Sequence, residues 1–328
     1  MLWKRIKYRL RLLYTSVLLY LGFEKLLLKN RYGERILVFH GIDKVGKTCY
    51  NSRFIGVDTF EEFIKYITQH YHVISLDDFY AKKFKPNTLN ITLTFDDGYY
   101  NNYAYAVPIL KKYKVPASFY ITTVHDKSPY LWADFVDLIS YHTSRQEIVF
   151  EKRTYIKNSK NEFVANGISL KNIAKTLPYE KIKILYDILQ KDWESISTTS
   201  ISDYWELMNY RQIQEICSDS LFSIGAHGET HVNLIDIPIN DAKKEIFNSK
   251  KTLEKICDEP IEEFAFPFGY YSKELVDYCE EIGYNKILLV DYNKDETNDN
   301  QLLRPRFVMN PYITLKQQLI YLLKGSYF

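Results

Sequence analysis

Two spacings alternate along the chain: short apolar runs that end in polar or glycine-bearing clusters, and longer stretches with apolar residues three and four apart. Ile91, Leu93 and Phe95 alternate with Thr92 and Thr94, which predicts a buried strand running straight into Asp96-Asp97-Gly98. Arg35 to Phe39 is a continuous apolar run stopped by His40-Gly41, the pattern of a buried parallel strand. Asp58-Thr59-Phe60-Glu61 carries an N-cap and a capping-box acid, and Phe60, Phe63, Ile64 and Ile67 then mark one helical face. Tyr71 to Ser75 predicts a short strand, 101–113 a helix and Pro116 to Thr122 the next strand. From 145 to 200 the rhythm breaks into a hairpin (147–151 and 153–157) and an amphipathic helix from Tyr179 to Trp193, which is read as an insertion. It then resumes with helix Tyr210 to Cys217, strand Leu221 to Ala226, helix Asn240 to Cys257 and strand Glu263 to Phe266 with its Pro267-Phe268-Gly269 turn. Helix Lys273 to Ile282, strand Lys286 to Val290, a polar loop with Asp295, Asn298 and Asn300, a last strand Leu302 to Val308 and a C-terminal helix follow. Such alternation implies an α/β fold with a parallel sheet of seven or eight strands and crossover helices.

Residues 1–33 stand apart from 34–328. Lys4, Arg5, Lys7, Arg9 and Arg11 precede an apolar run from Leu12 to Phe23. No small-residue cleavage site follows, and the run is shorter than the roughly 20 residues a bilayer crossing takes. The expectation is a basic amphipathic helix lying on an anionic membrane face through residues 1–25, with Trp3, Leu12, Leu13 and Leu18 to Leu21 toward lipid. A helix packed on the domain itself is the alternative.

Composition narrows the class without naming a function. The 328 residues, 46% hydrophobic, suffice for one large domain with an insertion. With 43 basic against 41 acidic residues nothing points to a nucleic-acid partner. Cys49, Cys217, Cys257 and Cys279 have no paired spacing, so free thiols are expected. That leans toward a reducing compartment, and hence toward the cytoplasmic membrane face over secretion.

Asp96 and Asp97 sit where a parallel fold keeps its chemistry, at the C-terminal end of a strand. Successive side chains leave opposite faces, so one carboxylate is free to hold a metal while the other faces a substrate water. Alone, the tripeptide reads more readily as a turn. The second stretch, His227-Gly228-Glu229-Thr230-His231, also follows a strand and sets two imidazoles four residues apart, a spacing that brings both to one metal. Two histidines and a carboxylate leave a coordination position for water.

Thr94-Phe95-Asp96-Asp97-Gly98, His227-Gly228-Glu229-Thr230-His231 and Phe264-Ala265-Phe266-Pro267-Phe268-Gly269 resemble, in this order, the motifs of the NodB-homology polysaccharide deacetylases, carbohydrate esterase family 4. The resemblance covers about Arg35 to Val308. It implies a distorted (β/α) barrel, the insertion on its rim, and a metal-dependent hydrolase that removes N-acetyl groups from amino sugars of a surface polysaccharide or its lipid-linked precursor. It also implies Asp97, His227 and His231 as ligands of a divalent metal, Zn2+ foremost, with Co2+, Ni2+ or Fe2+ tolerated. Asp96 matches the general base, and the Phe268 N–H, aimed by Pro267, matches an oxyanion donor.

Three positions depart from the family pattern. Gly228 stands where Ser or Thr is usual. Ala265 replaces an arginine that orients the base, with Arg304 or Arg306 as candidate substitutes. No histidine lies near Ile287 to Asp291, where the family's late Leu-x-His motif supplies the general acid, and His40 at the mouth of the first strand is the candidate in its place. His70, His72, His125 and His142 carry no rim signal. Trp132 is a candidate sugar-stacking aromatic, with core packing as its alternative. Two rival functions remain: a glycan-binding protein that lost turnover, and another metal-dependent amide hydrolase.

Overall fold

A computed structural model describes residues 2–28, 32–44, 46, 48–290 and 300–327. The polar loop residues Asp295 and Asn298, together with Asp291, lie outside the described residues, as do the side chains of Lys4 and Arg5.

Gly33–Phe39, Leu89–Phe95, Ala117–Ile121, Phe222–Ala226, Glu263–Ala265 and Lys286–Leu289 pair side by side, all parallel, with a short edge strand, His72–Val73, beside Leu89–Phe95. The run read as one last strand breaks at Arg306. Leu303–Pro305 pairs with Lys286–Leu289, and Phe307–Val308 crosses to pair with the first strand, at Leu37 and Val38. One segment thus joins the two edges, and eight strands form a nearly closed barrel.

The period-two alternation sorts the strands' side chains. Outward residues such as Leu37, Phe39, Leu93, Phe95, Phe119 and Ile224 belong to the large core under the surrounding helices. The inward row is smaller and partly polar. Ile36, Tyr120, Ala265 and Leu288 cluster there, and Thr94 donates to the Leu37 carbonyl at 2.7 Å. Gly225 is required on this row because a Cβ there would meet the Tyr120 ring at 2.4 Å.

Several local expectations are corrected. The helix expected to begin at an Asp58 cap spans Val57–His70 with Gly56 as its N-cap. Glu61 binds Lys112 and Tyr113 instead of closing a capping box. Cys217 and Cys257 form a disulfide between the ends of helices Tyr210–Cys217 and Ile239–Cys257, whereas Cys49 and Cys279 are free. Spacing along a chain does not show which helix ends meet in space. With these two cysteines paired, the expectation of a reducing compartment loses its support. Within 145–200 the hairpin extends to a four-stranded antiparallel sheet, followed by helices Leu170–Ala174 and Tyr179–Ser197.

The first helix, Leu2–Tyr20, follows the reading in which it packs on the domain. One face packs on the domain: Thr15 shares a hydrogen bond with Tyr321, and Tyr8 accepts from Asn310. Leu12 lies on this inner face, which corrects its assignment to lipid. No helix among the described residues is long and apolar enough to cross a membrane.

Candidate active site

Strand ends deliver the polar cluster. Leu89–Phe95 leads into Asp96 and Asp97, Phe222–Ala226 into His227, and Gly33–Phe39 into His40. Asp97 takes a left-handed backbone (φ 77°), followed by Gly98 at 85°. For an aspartate this is strained geometry, held because the surrounding structure fixes it. The turn points the two carboxylates at different partners.

Asp97 Oδ1 lies 3.0 Å from His231 Nε2 and 3.4 Å from His227 Nε2. The three side chains are buried, and their ligand-type atoms fall within 4.8 Å of one another. Neither Asp97 oxygen has a hydrogen-bond partner among the described residues. Buried unpaired carboxylate oxygens are costly unless something positive satisfies them. His227 Nδ1 meets the Ala265 carbonyl at 2.7 Å, which fixes the tautomer that leaves the Nε2 lone pair facing Asp97. The donor set, N, N and O with orphaned carboxylate oxygens, therefore fits a divalent cation. Ala265, where the family pattern has arginine, serves here through its backbone.

Arg306 reaches Asp96 from the kink of the last strand. Its guanidinium donates from Nη1 to Oδ1 at 2.6 Å and from Nη2 to Oδ2 at 2.7 Å, both ends fully buried. Thr94 Oγ1 and the Leu289 carbonyl take further donors. Burial alone would raise the Asp96 carboxyl, but Arg306 and then His227 overcome it, so its pKa falls below the usual range. Asp97 falls well below, burial being outweighed chiefly by His231 and His227. Arg304, the other candidate, stacks on Tyr80 instead of reaching Asp96.

His40 is buried in the wall of this site, its carbonyl accepting from Asn102. Burial, reinforced by the Arg53 guanidinium, lowers its pKa to about 3 against the pull of Asp97 and Asp96. It is neutral at ordinary pH. Phe268 has a left-handed backbone (φ 60°) inside the Pro267–Gly269 turn, and its ring stands 4.6 Å from that of His231. Pro267 is buried beneath Gly228, where a Cβ would approach its ring at 3.3 Å; Gly228 itself has φ 76°. The residue type at 228 thus follows from a tight turn.

Trp132 does not face a sugar. It is buried, and its indole N–H donates to the His231 carbonyl at 2.9 Å, so the sugar-stacking expectation is corrected to support of the His227–His231 turn from the core.

A sequence model of the polysaccharide deacetylases matches residues 83–287. This chain belongs to the polysaccharide deacetylase family. It is accordingly a hydrolase that removes acetyl groups from a glycan. Solved structures with a similar fold include the Streptococcus pyogenes deacetylase PplD in complex with acetate, 16% identical over 87% of this chain and 96% of that one, with a TM-score of 0.56. IcaB from Ammonifex degensii is 14% identical over 89% and 97%, TM-score 0.54. BC0361, a polysaccharide deacetylase from Bacillus cereus, is 17% identical over 88% and 68%, TM-score 0.53. At these identities the likeness concerns the fold. No curated protein matches the sequence.

Three further residues of this deacetylase escaped the sequence reading. Glu245, buried on helix Ile239–Cys257, accepts from the Glu229 and Thr230 N–H groups and from the Thr230 hydroxyl, tying down the turn between the two histidines. Arg53 places Nη2 3.9 Å from Asp97 Oδ2. Asp134, buried and held by Tyr99 and Asn51, stands behind Arg53. None belongs to a motif, and each acts across a long stretch of chain, so no local pattern marks them.

Proposed function

We propose that this deacetylase is a divalent-metal-dependent enzyme that hydrolyses N-acetyl groups on amino sugars of a surface polysaccharide or its lipid-linked precursor. The observation that carries the reading is the convergence of Asp97, His227 and His231 with both Asp97 oxygens unpaired. Zn2+ is the expected ion, and Co2+, Ni2+ or Fe2+ suit the same donors. When bound, the cation supplies positive charge for the acetyl carbonyl oxygen and acidifies a water.

The chain's own groups do the rest. Asp96, ionised and fixed by Arg306, takes the proton of the attacking water. The Phe268 N–H, in a turn set by Pro267, donates to the oxyanion that forms on the acetyl carbon. The C–N bond then breaks, acetate leaves with the water's oxygen, and the amine takes a proton. His40 is the proposed carrier of that proton. It is neutral at rest, so it is charged during turnover by the proton that Asp96 has taken from the water. The rival reading as a pure glycan binder drew on a missing arginine and a missing late histidine, and Arg306 at Asp96 removes the first of these.

Acetate release from an N-acetylglucosamine oligomer, with metal content measured in parallel, tests the assignment. Asp97→Asn is expected to lose metal and activity together. Asp96→Asn should keep the metal and lose turnover by about 10³-fold. A metal-loaded wild type that releases no acetate would return the binder reading, and an active Asp96→Asn would place the base elsewhere.

We further propose that helix Leu2–Tyr20 rests on an anionic membrane face. Trp3, Ile6, Leu10, Leu13, Val17 and Tyr20 are exposed at spacings of three and four, forming one apolar stripe. At 100° per residue the exposed Lys7 and Arg9 fall on either side of it. Such docking would hold the site beside a membrane-attached glycan.

A further inference from the structure

We propose that the preferred substrate is an acidic glycan, and that Arg53 and Lys175 bind an anionic group, phosphate or carboxylate, on or next to the acetylated sugar. This rests on the reading of the Asp97 centre as the deacetylation site and adds the class of substrate it takes.

Arg53 is held in place by its backbone, while its guanidinium remains available. Its N–H donates to Asn51 Oδ1 at 3.0 Å, and Asn51 in turn donates to Asp134 at 3.1 Å. The guanidinium, with 28% of the side chain exposed, makes no hydrogen bond among the described residues, and its approach to Asp97 at 3.9 Å is longer than one. Lys175 comes from the insertion, just after helix Leu170–Ala174. Its Nζ stands 4.1 Å from the Phe268 ring centroid and 4.6 Å from that of Tyr270. It pairs with no carboxylate among the described residues. Phe268 links it to the centre, since the same ring is 4.6 Å from His231. One cation therefore borders Asp97 and the other lies a ring's width beyond His231.

The neighbouring acids are already engaged. Asp96 is taken by Arg306, Asp134 by Tyr99 and Asn51, Asp137 by Lys171 and Asp236 by Asn233. Half-burial presses Lys175 to give up its proton; Asp236 opposes this, and Lys171 and Arg53 add to it. With a divalent cation facing Asp97, Arg53 and Lys175 would be two further positive charges at this rim, neither hydrogen-bonded to a carboxylate among the described residues. A neutral N-acetyl sugar leaves them unmatched, whereas an acidic one forms charge-assisted hydrogen bonds with Arg53 and Lys175 and is steered toward the mouth. On this view the insertion serves to deliver Lys175 to the rim.

Calorimetric binding to the metal-loaded protein decides the matter, comparing N-acetylglucosamine, N-acetylglucosamine 1-phosphate and N-acetylmuramic acid. At least one acidic sugar is expected to bind about tenfold more tightly than the neutral one. Which one does so identifies phosphate or carboxylate as the group recognised. Lys175→Gln and Arg53→Gln should each erase most of that preference, and added salt should weaken it in the wild type. If Arg53→Gln proves to lose metal, Lys175→Gln alone decides. Equal binding of neutral and acidic sugars by the wild type, or a preference that survives both substitutions, overturns the proposal. Acetate release from a neutral oligomer that Asp96→Asn abolishes would keep the deacetylase reading intact in that event. Absence of acetate release from every substrate would instead defeat the deacetylase reading, with the binding ratios still deciding this one.

Discussion

Asp96 and Asp97 adjoin in sequence and differ in environment because the backbone turns left-handed between strand and loop (φ 77° at Asp97). One carboxylate meets a guanidinium in a two-pronged pair, and the other faces two imidazoles with its oxygens unpaired. The identity of the Asp96 partner was narrowed by sequence to Arg304 or Arg306, and only the fold separated them. Arg306→Ala leaves a buried carboxylate without its counter-charge, so it should cost about 3–5 kcal/mol in denaturant unfolding. If Asp96 is the base proposed above, the substitution should also lower turnover about 100-fold by misplacing that carboxylate. Asp134 gives a pH signature. Burial raises its carboxyl to about 7, although Arg53 and the Tyr99 hydroxyl pull the other way. The folded protein keeps this proton to about pH 7 while the unfolded chain gives it up near 3.8, so the contribution is full below 3.8 and is lost as pH rises toward 7. Measured by denaturation at pH 5 and pH 8, the wild type should lose about 2–3 kcal/mol relative to Asp134→Asn. A pH-independent difference between the two proteins would refute the assignment.

At the level of elements, each strand of the main sheet was legible where apolar alternation is strong, as in Ile91 to Phe95, and blurred where pairing decides. The run 302–308 has one uniform character along the chain, yet Arg306 splits it, because its two halves find different neighbours. The cap of helix Val57–His70 failed for a related reason: Asp58 and Glu61 have suitable chemistry, but Lys112 and Tyr113 from another helix claim Glu61. The histidine turn depends on helix Ile239–Cys257, whose Glu245 holds it. That helix is in turn tied to helix Tyr210–Cys217 by the disulfide, which closes a span of 40 residues. Cys217→Ser should lower stability by about 4 kcal/mol on the chain-entropy scale, read as a shift in denaturant midpoint. Reductant should lower the wild type to the same level and leave the variant where it is.

For the whole molecule, the barrel and the first helix make separate demands on residues 1–25. Tyr8, Leu12 and Thr15 dock on the domain, while Leu10 and Leu13 remain on the exposed stripe. Leu10→Glu with Leu13→Glu should reduce co-sedimentation with anionic vesicles about tenfold, yet change unfolding by no more than about 0.5 kcal/mol per site, since neither side chain is buried. Equal sedimentation of wild type and variant would remove the membrane from the account. The strand-helix alternation, the strand ends that carry Asp96-Asp97 and His227, and the helical period of the N-terminal segment could all be read along the chain, because each is a periodicity or a motif written within a few neighbouring residues. Tertiary structure alone decided that Arg306 serves Asp96, that Trp132 supports His231 from within the core, that Cys217 meets Cys257, and that an insertion lysine stands beside Phe268. Those pairings join residues tens to hundreds of positions apart, and distance along a chain carries no information about which ends of a closed barrel come together.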